Sequence, residues 1–189
     1  INYAGATLSW LKNNLQLIRN ENETNNIFAK TKNTEGVVFV PAFVGLSSPH
    51  WRPKSKALIH GLTPGINKNQ IIRAALESVA FQIKDYLDDL EMRNKIKYND
   101  IYIDGGIVSN GSFMQFLTNT LNKKIYVTNY QDMSSYGALM MGLLGMKIKK
   151  NLNEIKKLKQ KYFIYTPKKD KEVHESYENW KFVLKKFYI

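Results

Sequence analysis

The loop that follows an apolar run contains residue types that are suited to binding phosphate. Residues 101–103 predict a buried strand, and Asp104 follows directly as the chain leaves it. Gly105 and Gly106 lack a Cβ, so their backbone can approach a flat or charged ligand closely. Asn110 can cap the helix that follows, whose first N–H groups and partial positive charge favour phosphate. The same pattern also forms plain strand-to-helix connections, so the loop alone does not establish a site.

Two other helix starts have similar features. Gly5 lies just before the first predicted helix and offers a second point of close backbone approach. Asp132 and Gly137 flank the start of a helix rich in small residues. One hypothesis is three ordinary helix starts. The other is a single nucleotide site that three loops form together at one edge of a sheet.

Hydrophobic periodicity predicts the elements that would position these loops. Asn67 and Gln70 have the spacing of a capping box at the start of the clearest helix. The predicted order is a helix over 6–19, a polar connection over 20–35, strands over 37–40 and 57–60, a helix over 67–90, a strand over 101–103, a helix over 112–121, a strand over 125–127, and helices over 134–146, 151–161 and 177–187. Alternation of strands and helices is typical of an α/β domain.

Composition narrows the class of protein. The chain has 189 residues, of which 43% are hydrophobic, and this suits one globular domain with a core. It contains no cysteine, which excludes disulfides, cysteine-ligated zinc and thiol catalysis, and fits a cytoplasmic location. No apolar run approaches the roughly 20 residues that span a bilayer, so no membrane partner is expected. The first residue is Ile1 rather than Met, and we interpret the chain as part of a longer protein.

The net charge of +12 makes nucleic-acid binding one hypothesis for this chain. Residues 147–189 carry a net +8, all of it from lysine, so most of the excess lies in the tail. Lysine is a weaker bidentate ligand than arginine, and a solvated face is favoured over a nucleic-acid surface. Aromatic residues alternate with lysines near residues 180–188, which keeps nucleic-acid binding as the weaker hypothesis.

The other titratable and sulfur-containing side chains favour structural roles. The three histidines, His50, His60 and His174, show no metal-ligand spacing, and no metal site is predicted. A solvated acidic face is predicted for Asp85, Asp88, Asp89 and Glu91. Core packing is predicted for Met133, Met140, Met141 and Met146. No catalytic residue is assigned.

Four segments in order resemble one enzyme family. Residues 36–46 and 57–77 are similar to two signatures of the FGGY carbohydrate kinases, the first in the form found in glycerol kinases. The Asp104-Gly105-Gly106 segment with Asn110 is similar to the adenosine-facing segment of that family, and Gly137-Ala138 to a later turn. The resemblance extends from residue 1 to about residue 150.

This resemblance implies a fold and a site. The fold would be the ribonuclease-H-like, actin-like ATPase fold, as the C-terminal domain of a two-domain sugar kinase that lacks its first strands here. Residues 1–150 would form that nucleotide-binding domain, and residues 151–189 a Lys-rich helical extension packing on it. ATP with Mg²⁺ would bind between the two domains. Gly5, Gly106 and Asn110 would contact the nucleotide, and Gly105 would shape the loop.

The same resemblance places other parts of the enzyme elsewhere. The catalytic base, the polyol pocket and the first phosphate loop would precede Ile1, in a missing N-terminal domain that would be the main partner. Glycerol is the expected substrate. The alternatives are xylulose as the substrate, or a non-catalytic nucleotide-binding module. The resemblance is also compatible with a homo-oligomer. This sequence departs from the usual family residues at Ser9 (Gln), Arg52 (Asp), Gly111 (Asn) and Leu139 (Ala).

Overall fold

The computed structural model describes residues 3–128, 132–156, 158 and 161–189 and shows an α/β architecture. Its helices are α1 Gly5–Asn13, α2 Glu23–Lys30, α3 Lys68–Asn94, α4 Gly111–Leu121, α5 Met133–Gly145, α6 Leu152–Lys156 and α7 Lys171–Phe187. Its strands are β1 Val38–Val40, β2 Leu58–His60, β3 Asp100–Ile103, β4 Lys124–Thr128 and β5 Tyr162–Tyr165. A short 3₁₀ turn over Gly106–Ser109 precedes α4.

The strands form two sheets. β1 and β2 pair antiparallel, with Phe39 opposite Ile59. In the second sheet β3 pairs parallel with β4, and β4 pairs antiparallel with β5. The order β3-β4-β5 places β3 at an outer edge of the sheet that the described residues form.

Helix α3 is the support around which the other elements pack. The predicted capping box is confirmed: Asn67 Oδ1 accepts from Asn69 N at 2.8 Å, and Gln70 Oε1 accepts from Asn67 N at 3.3 Å. Strand β1 and helices α1, α2, α4 and α7 all contact this helix. In the described part of the chain, no helix is long and apolar enough to cross a membrane.

Aromatic rings fill the core between α2, α3, α4 and α7. The Phe28 ring centroid lies 5.4 Å from that of Phe116, and the Phe81 centroid lies 5.8 Å from those of Phe116 and Trp180. Edge-to-face and tilted pairs at such distances contribute about 0.5–1.5 kcal/mol each beyond the burial of their area. The core therefore fixes α4, and with it the loop before α4, relative to α3.

Three predicted helices have different bounds in the structure, and one of them, predicted over 177–187, begins at Lys171 as α7. The polar connection predicted over 20–35 contains α2. The helix predicted over 6–19 ends at Asn13, because the chain turns through a left-handed residue at Gln16 (φ 54°) and leaves Leu15 exposed. In the tail, α6 covers Leu152–Lys156, and residues 157, 159 and 160 lie outside the described residues. The sequence predicted no strand after it, yet 162–165 form β5 on the edge of the sheet.

The interpretation of the α3 acids as a solvated face is wrong for Asp85 and Glu91, which are both buried. Glu91 accepts from Tyr98 N at 2.8 Å and pairs with Lys123 at 2.7 Å. The hydrogen bond from Lys123 is the largest of the effects that lower the pKa of Glu91 to about 2. Both carboxylates are buried because partners outside α3 cover them and donate to them. Asp88 is exposed, as predicted.

Core packing is also the wrong interpretation for two methionines. Met141 is 54% exposed and Met146 is 66% exposed, and α5 has no buried residue. Met133 and Met140 are half-buried. The helix is apolar in sequence, but the described elements do not cover it.

Arg73 connects a buried carboxyl group of α3 with the end of α2. Arg73 Nε donates to Glu77 Oε1 at 2.7 Å, while Arg73 Nη1 donates to the carbonyls of Phe28 and Thr31. Burial raises the pKa of Glu77 to about 7, although the adjacent Arg73 opposes that shift. Asp170 and Glu172, at the start of α7, raise it further.

Stability is therefore expected to fall with pH through this group. A carboxyl whose folded pKa lies above its ordinary value stabilises the fold fully below about pH 4.5, and that contribution is lost as the pH rises through about 7. Relative to Glu77→Gln, the wild-type free energy of unfolding should drop by about 2–3 kcal/mol between pH 5 and pH 8. Urea denaturation at both pH values measures this difference, with the exposed Glu35→Gln as control. Parallel pH profiles of wild type and Glu77→Gln would contradict it.

Candidate nucleotide-binding site

The loop after β3 is a compact turn. Gly105 has φ +107°, a conformation that residues with a Cβ rarely adopt. Its carbonyl accepts from Val108 N at 3.2 Å, and the Ile107 carbonyl accepts from Asn110 N at 3.1 Å. Asp104 is exposed at the end of β3. The turn brings the chain from β3 to the first residue of α4.

Asn110 is the N-cap of α4, and half of its amide group lacks a partner. The residue is 3% exposed, and its Oδ1 accepts from Phe113 N at 3.0 Å. Its Nδ2 is buried and has no hydrogen-bond partner among the residues that the structure describes. An unsatisfied buried donor costs about 1–3 kcal/mol, so such groups usually indicate a bound ligand, water or ion. The partner of this donor is therefore expected to be a group outside the described residues.

Three candidate glycines border open space. A Cβ added at Gly5, Gly105 or Gly106 would meet no atom within 4 Å. Packing against neighbouring protein atoms therefore does not require glycine at these positions. Bare backbone next to open space is what close approach of a ligand requires.

The structure places the candidate residues on two elements with common support. Gly105, Gly106 and Asn110 share the loop before α4, and Gly5 is the first residue of α1. Both α1 and α4 pack against α3, which fixes both helix starts on one scaffold. The sequence predicted the residues but gave no indication of the unpaired Asn110 donor.

The third predicted loop is described only in part. Residues 129–131 lie outside the described residues, and α5 begins after them with Asp132 as its N-cap. Asp132 Oδ1 accepts from Ser134 N at 2.9 Å and from Ser135 N at 3.0 Å. The hydrogen bond from the Ser135 hydroxyl is the main cause that lowers the pKa of Asp132. The hydrogen bonds that the Asp132 carboxylate accepts are therefore explained by its role as the N-cap of α5.

Two departures from the family pattern acquire structural context. A Cβ on Gly111 would lie 3.4 Å from the Tyr165 hydroxyl, so β5 limits the side chain at that position. Ser9 Oγ lies 3.5 Å from Glu21 Oε1. Because the sequence did not predict β5, it could not indicate that Tyr165 borders the loop. Among the described residues, no group of three His, Cys, Asp or Glu side chains is arranged to hold a metal.

Comparison with known proteins identifies the family of this chain. Residues 1–146 match the C-terminal domain of the FGGY family of carbohydrate kinases. The chain belongs to this family. The predicted fold class is confirmed, and the matched range includes the glycine loop and Asn110.

Glycerol kinases are prominent among the relatives. Glycerol kinase 1 of Thermotoga maritima is 36% identical over 187 residues, which cover 98% of this chain and 38% of that protein. The glycerol kinase of Fusobacterium nucleatum is 38% identical over 180 residues, which cover 93% of this chain and 36% of that protein. The chain thus spans little more than a third of the length of these FGGY relatives.

Solved structures show the same fold. The structure of Plasmodium falciparum glycerol kinase with ADP matches with a TM-score of 0.86 and 35% identity, covering 98% of this chain and 37% of that one. A ligand-bound xylulose kinase from Lactobacillus acidophilus matches with a TM-score of 0.77 at 19% identity, covering 96% of this chain and 37% of that one. The second likeness shows the FGGY fold alone.

Proposed function

We propose that this chain is the nucleotide-binding part of an ATP-dependent kinase that phosphorylates a small polyol, glycerol, to glycerol 3-phosphate. The unpaired Asn110 Nδ2 at a glycine-lined loop is the observation that carries the nucleotide site. The relatives named glycerol kinase, at 36–38% identity, favour glycerol. The 19% identity to a xylulose kinase makes xylulose the second choice.

Within this proposal, the residues of the chain bind and orient ATP. Asn110 Nδ2 donates to an acceptor on the nucleotide, and the backbone at Gly5 and Gly106 lies against it. Gly105 holds the turn open. The start of α4 offers backbone N–H groups and a partial positive charge to phosphate. Mg²⁺ is held mainly by the nucleotide phosphates and by the upstream part of the enzyme.

The proposal assigns the reacting groups to a different part of the protein. The base that removes the proton from the substrate hydroxyl, and the polyol pocket, belong to an N-terminal domain. Phosphoryl transfer depends on positioning and on stabilisation of charge, so neither part suffices by itself. Cytoplasmic location and a homo-oligomeric state of the intact enzyme are further elements of the proposal.

Exposed surface on the β3–β4–β5 sheet supports the existence of such an upstream part. The outer edge of β3 is open among the described residues, and Tyr102 on that strand is 63% exposed. Its ring stacks on Tyr126 with centroids 4.9 Å apart. The uncovered apolar helix α5 belongs to the same half of the chain. The opening strands of the domain would pair along β3 and cover part of this surface.

Activity of a chimera tests the proposal. We expect no glycerol-dependent ADP release from these 189 residues alone, because the base lies elsewhere. Joining the preceding part of Thermotoga maritima glycerol kinase 1 to residue 1, at the aligned position, should restore release with glycerol and much less with xylulose. The parent Thermotoga enzyme is the positive control in the same coupled assay.

Three outcomes would contradict parts of the proposal. Clear turnover by the chain alone would refute the missing base. Preference of the chimera for xylulose would refute the substrate. A folded chimera that binds ADP but transfers no phosphate would favour the non-catalytic nucleotide-binding module.

A further inference from the structure

An open groove lies between the long loop after β1 and the end of α7, far along the chain from the candidate nucleotide loop. Residues 51–56 line one side of it, and Phe187 and Tyr188 line the other. Its volume is about 470 Å³. The Tyr188 hydroxyl donates to the Lys56 carbonyl at 2.6 Å and so fastens the two sides together. We name these residues the Trp51 groove.

Trp51 is exposed to solvent on a hydrogen-bonded loop. The side chain is 67% exposed, and its backbone is left-handed with φ 51°. On one side of it, Arg52 and Leu46 exchange two backbone hydrogen bonds of 2.8 and 2.9 Å. On the other, His50 Nε2 lies 3.2 Å from the buried Asp85 Oδ2.

The left-handed backbone conformation of Trp51 is unfavourable, and burial of the Trp51 ring does not offset this cost. A bulky residue at positive φ is a conformational outlier, and such strain clusters at functional sites. Trp51 gains little packing in exchange because most of its ring is exposed. Loss of the ring would therefore affect a binding partner more than the fold.

The groove is surrounded by cations and aromatic rings. No Asp or Glu occurs in residues 36–76, and Arg52, Lys54 and Lys56 are all exposed. Within the described ranges, none of these three cations forms an ion pair with an acidic side chain. Lys186 Nζ lies 5.3 Å from the ring centroid of Phe187, which is 47% exposed. The fold thus brings the cations of residues 51–56 beside the lysines at the end of α7.

We propose that the Trp51 groove binds single-stranded nucleic acid, with bases stacked on Trp51 and Phe187 and phosphates against Arg52, Lys54 and Lys56. Exposed rings between cations are the combination that binds unpaired bases with little sequence preference. An acidic peptide would use the cations but would not need an exposed indole. The sequence alone favoured a solvated lysine face, because it could not place residues 51–56 beside α7.

Fluorescence anisotropy of a labelled 12-nucleotide oligothymidylate with the whole chain tests this proposal at low salt. Trp51→Asn removes the ring and suits the left-handed backbone, and it should weaken binding about fivefold or more. Lys54→Glu combined with Lys56→Glu should weaken binding about tenfold or more and reduce its salt dependence. The matched control is Lys12→Glu combined with Lys30→Glu, which changes exposed lysines on α1 and α2. This variant should alter the affinity for the oligonucleotide by less than about twofold.

Other results would overturn the proposal. Absence of binding at 50 mM salt would do so, as would a Trp51→Asn variant that binds as tightly as wild type. Competition by polyglutamate as effective as that by unlabelled oligothymidylate would indicate an acidic protein partner instead. The proposal is independent of the kinase function, since Asn110 variants should leave oligonucleotide binding unchanged.

Discussion

Replacing Asp85 by alanine is expected to lower the free energy of unfolding by about 2–6 kcal/mol, because two buried donors lose their acceptor at a cost of about 1–3 kcal/mol each. Asp85 Oδ1 accepts from the Tyr177 hydroxyl at 2.6 Å, and Oδ2 accepts from Trp180 Nε1 at 2.9 Å. His50 lies against the same oxygen. The alanine variant leaves the buried Tyr177 and Trp180 donors, and the half-buried His50, without this acceptor.

Tyr177 keeps its proton in the variant, because burial, the largest of the causes that raise the pKa of its hydroxyl well above the ordinary value, does not depend on Asp85. Urea denaturation at pH 7 measures the loss. Asp88→Ala, an exposed change one turn further along the same helix, should stay within about 0.5 kcal/mol of wild type. A loss below about 1 kcal/mol for Asp85→Ala would show that water replaces the carboxyl group at little cost.

The second large effect is expected on nucleotide binding. Asn110→Asp keeps the oxygen that accepts from Phe113 N, and thus keeps the cap of α4, but it removes the unpaired Nδ2 donor. It also adds negative charge next to the proposed phosphate position. We expect ADP affinity to fall at least about tenfold, which corresponds to about 1.4 kcal/mol. Isothermal titration calorimetry measures the affinity, and thermal melting checks that the cap persists.

The control for this experiment lies on the same helix. Asn122→Asp makes the same chemical change at the other end of α4, and ADP affinity should be unaffected. Gly106→Val provides a second test, because its side chain enters open space in the free protein but blocks a ligand. Wild-type ADP affinity in both Asn110→Asp and Gly106→Val would place the nucleotide elsewhere.

Local sequence information predicted the elements whose signals are local. The capping box of α3 and the glycine loop of β3 and α4 depend on residues a few positions apart, so pattern and propensity sufficed for them. Gly105, Gly106 and Asn110 followed from that loop and the family resemblance, and Gly5 from the resemblance and its place at the start of the first helix.

Features that depend on distant partners were not predictable in this way. Burial of Asp85 requires Tyr177 and Trp180, which are more than ninety residues away. β5 forms because β4 offers an antiparallel edge, and its four-residue segment has no distinctive period. The unpaired Nδ2 of Asn110 is a property of the folded loop, since any Asn could have had both groups satisfied.

The open edge of β3 also affects how the isolated chain behaves in concentrated solution. An unpaired strand edge is a template for pairing with another molecule, and such pairing can grow into aggregates. The net charge of +12 opposes this growth, because like-charged copies repel one another. Salt reduces the range of that repulsion to about 8 Å at physiological ionic strength. The lysine-rich tail thus acts as colloidal protection, and this protection is strongest in dilute buffer.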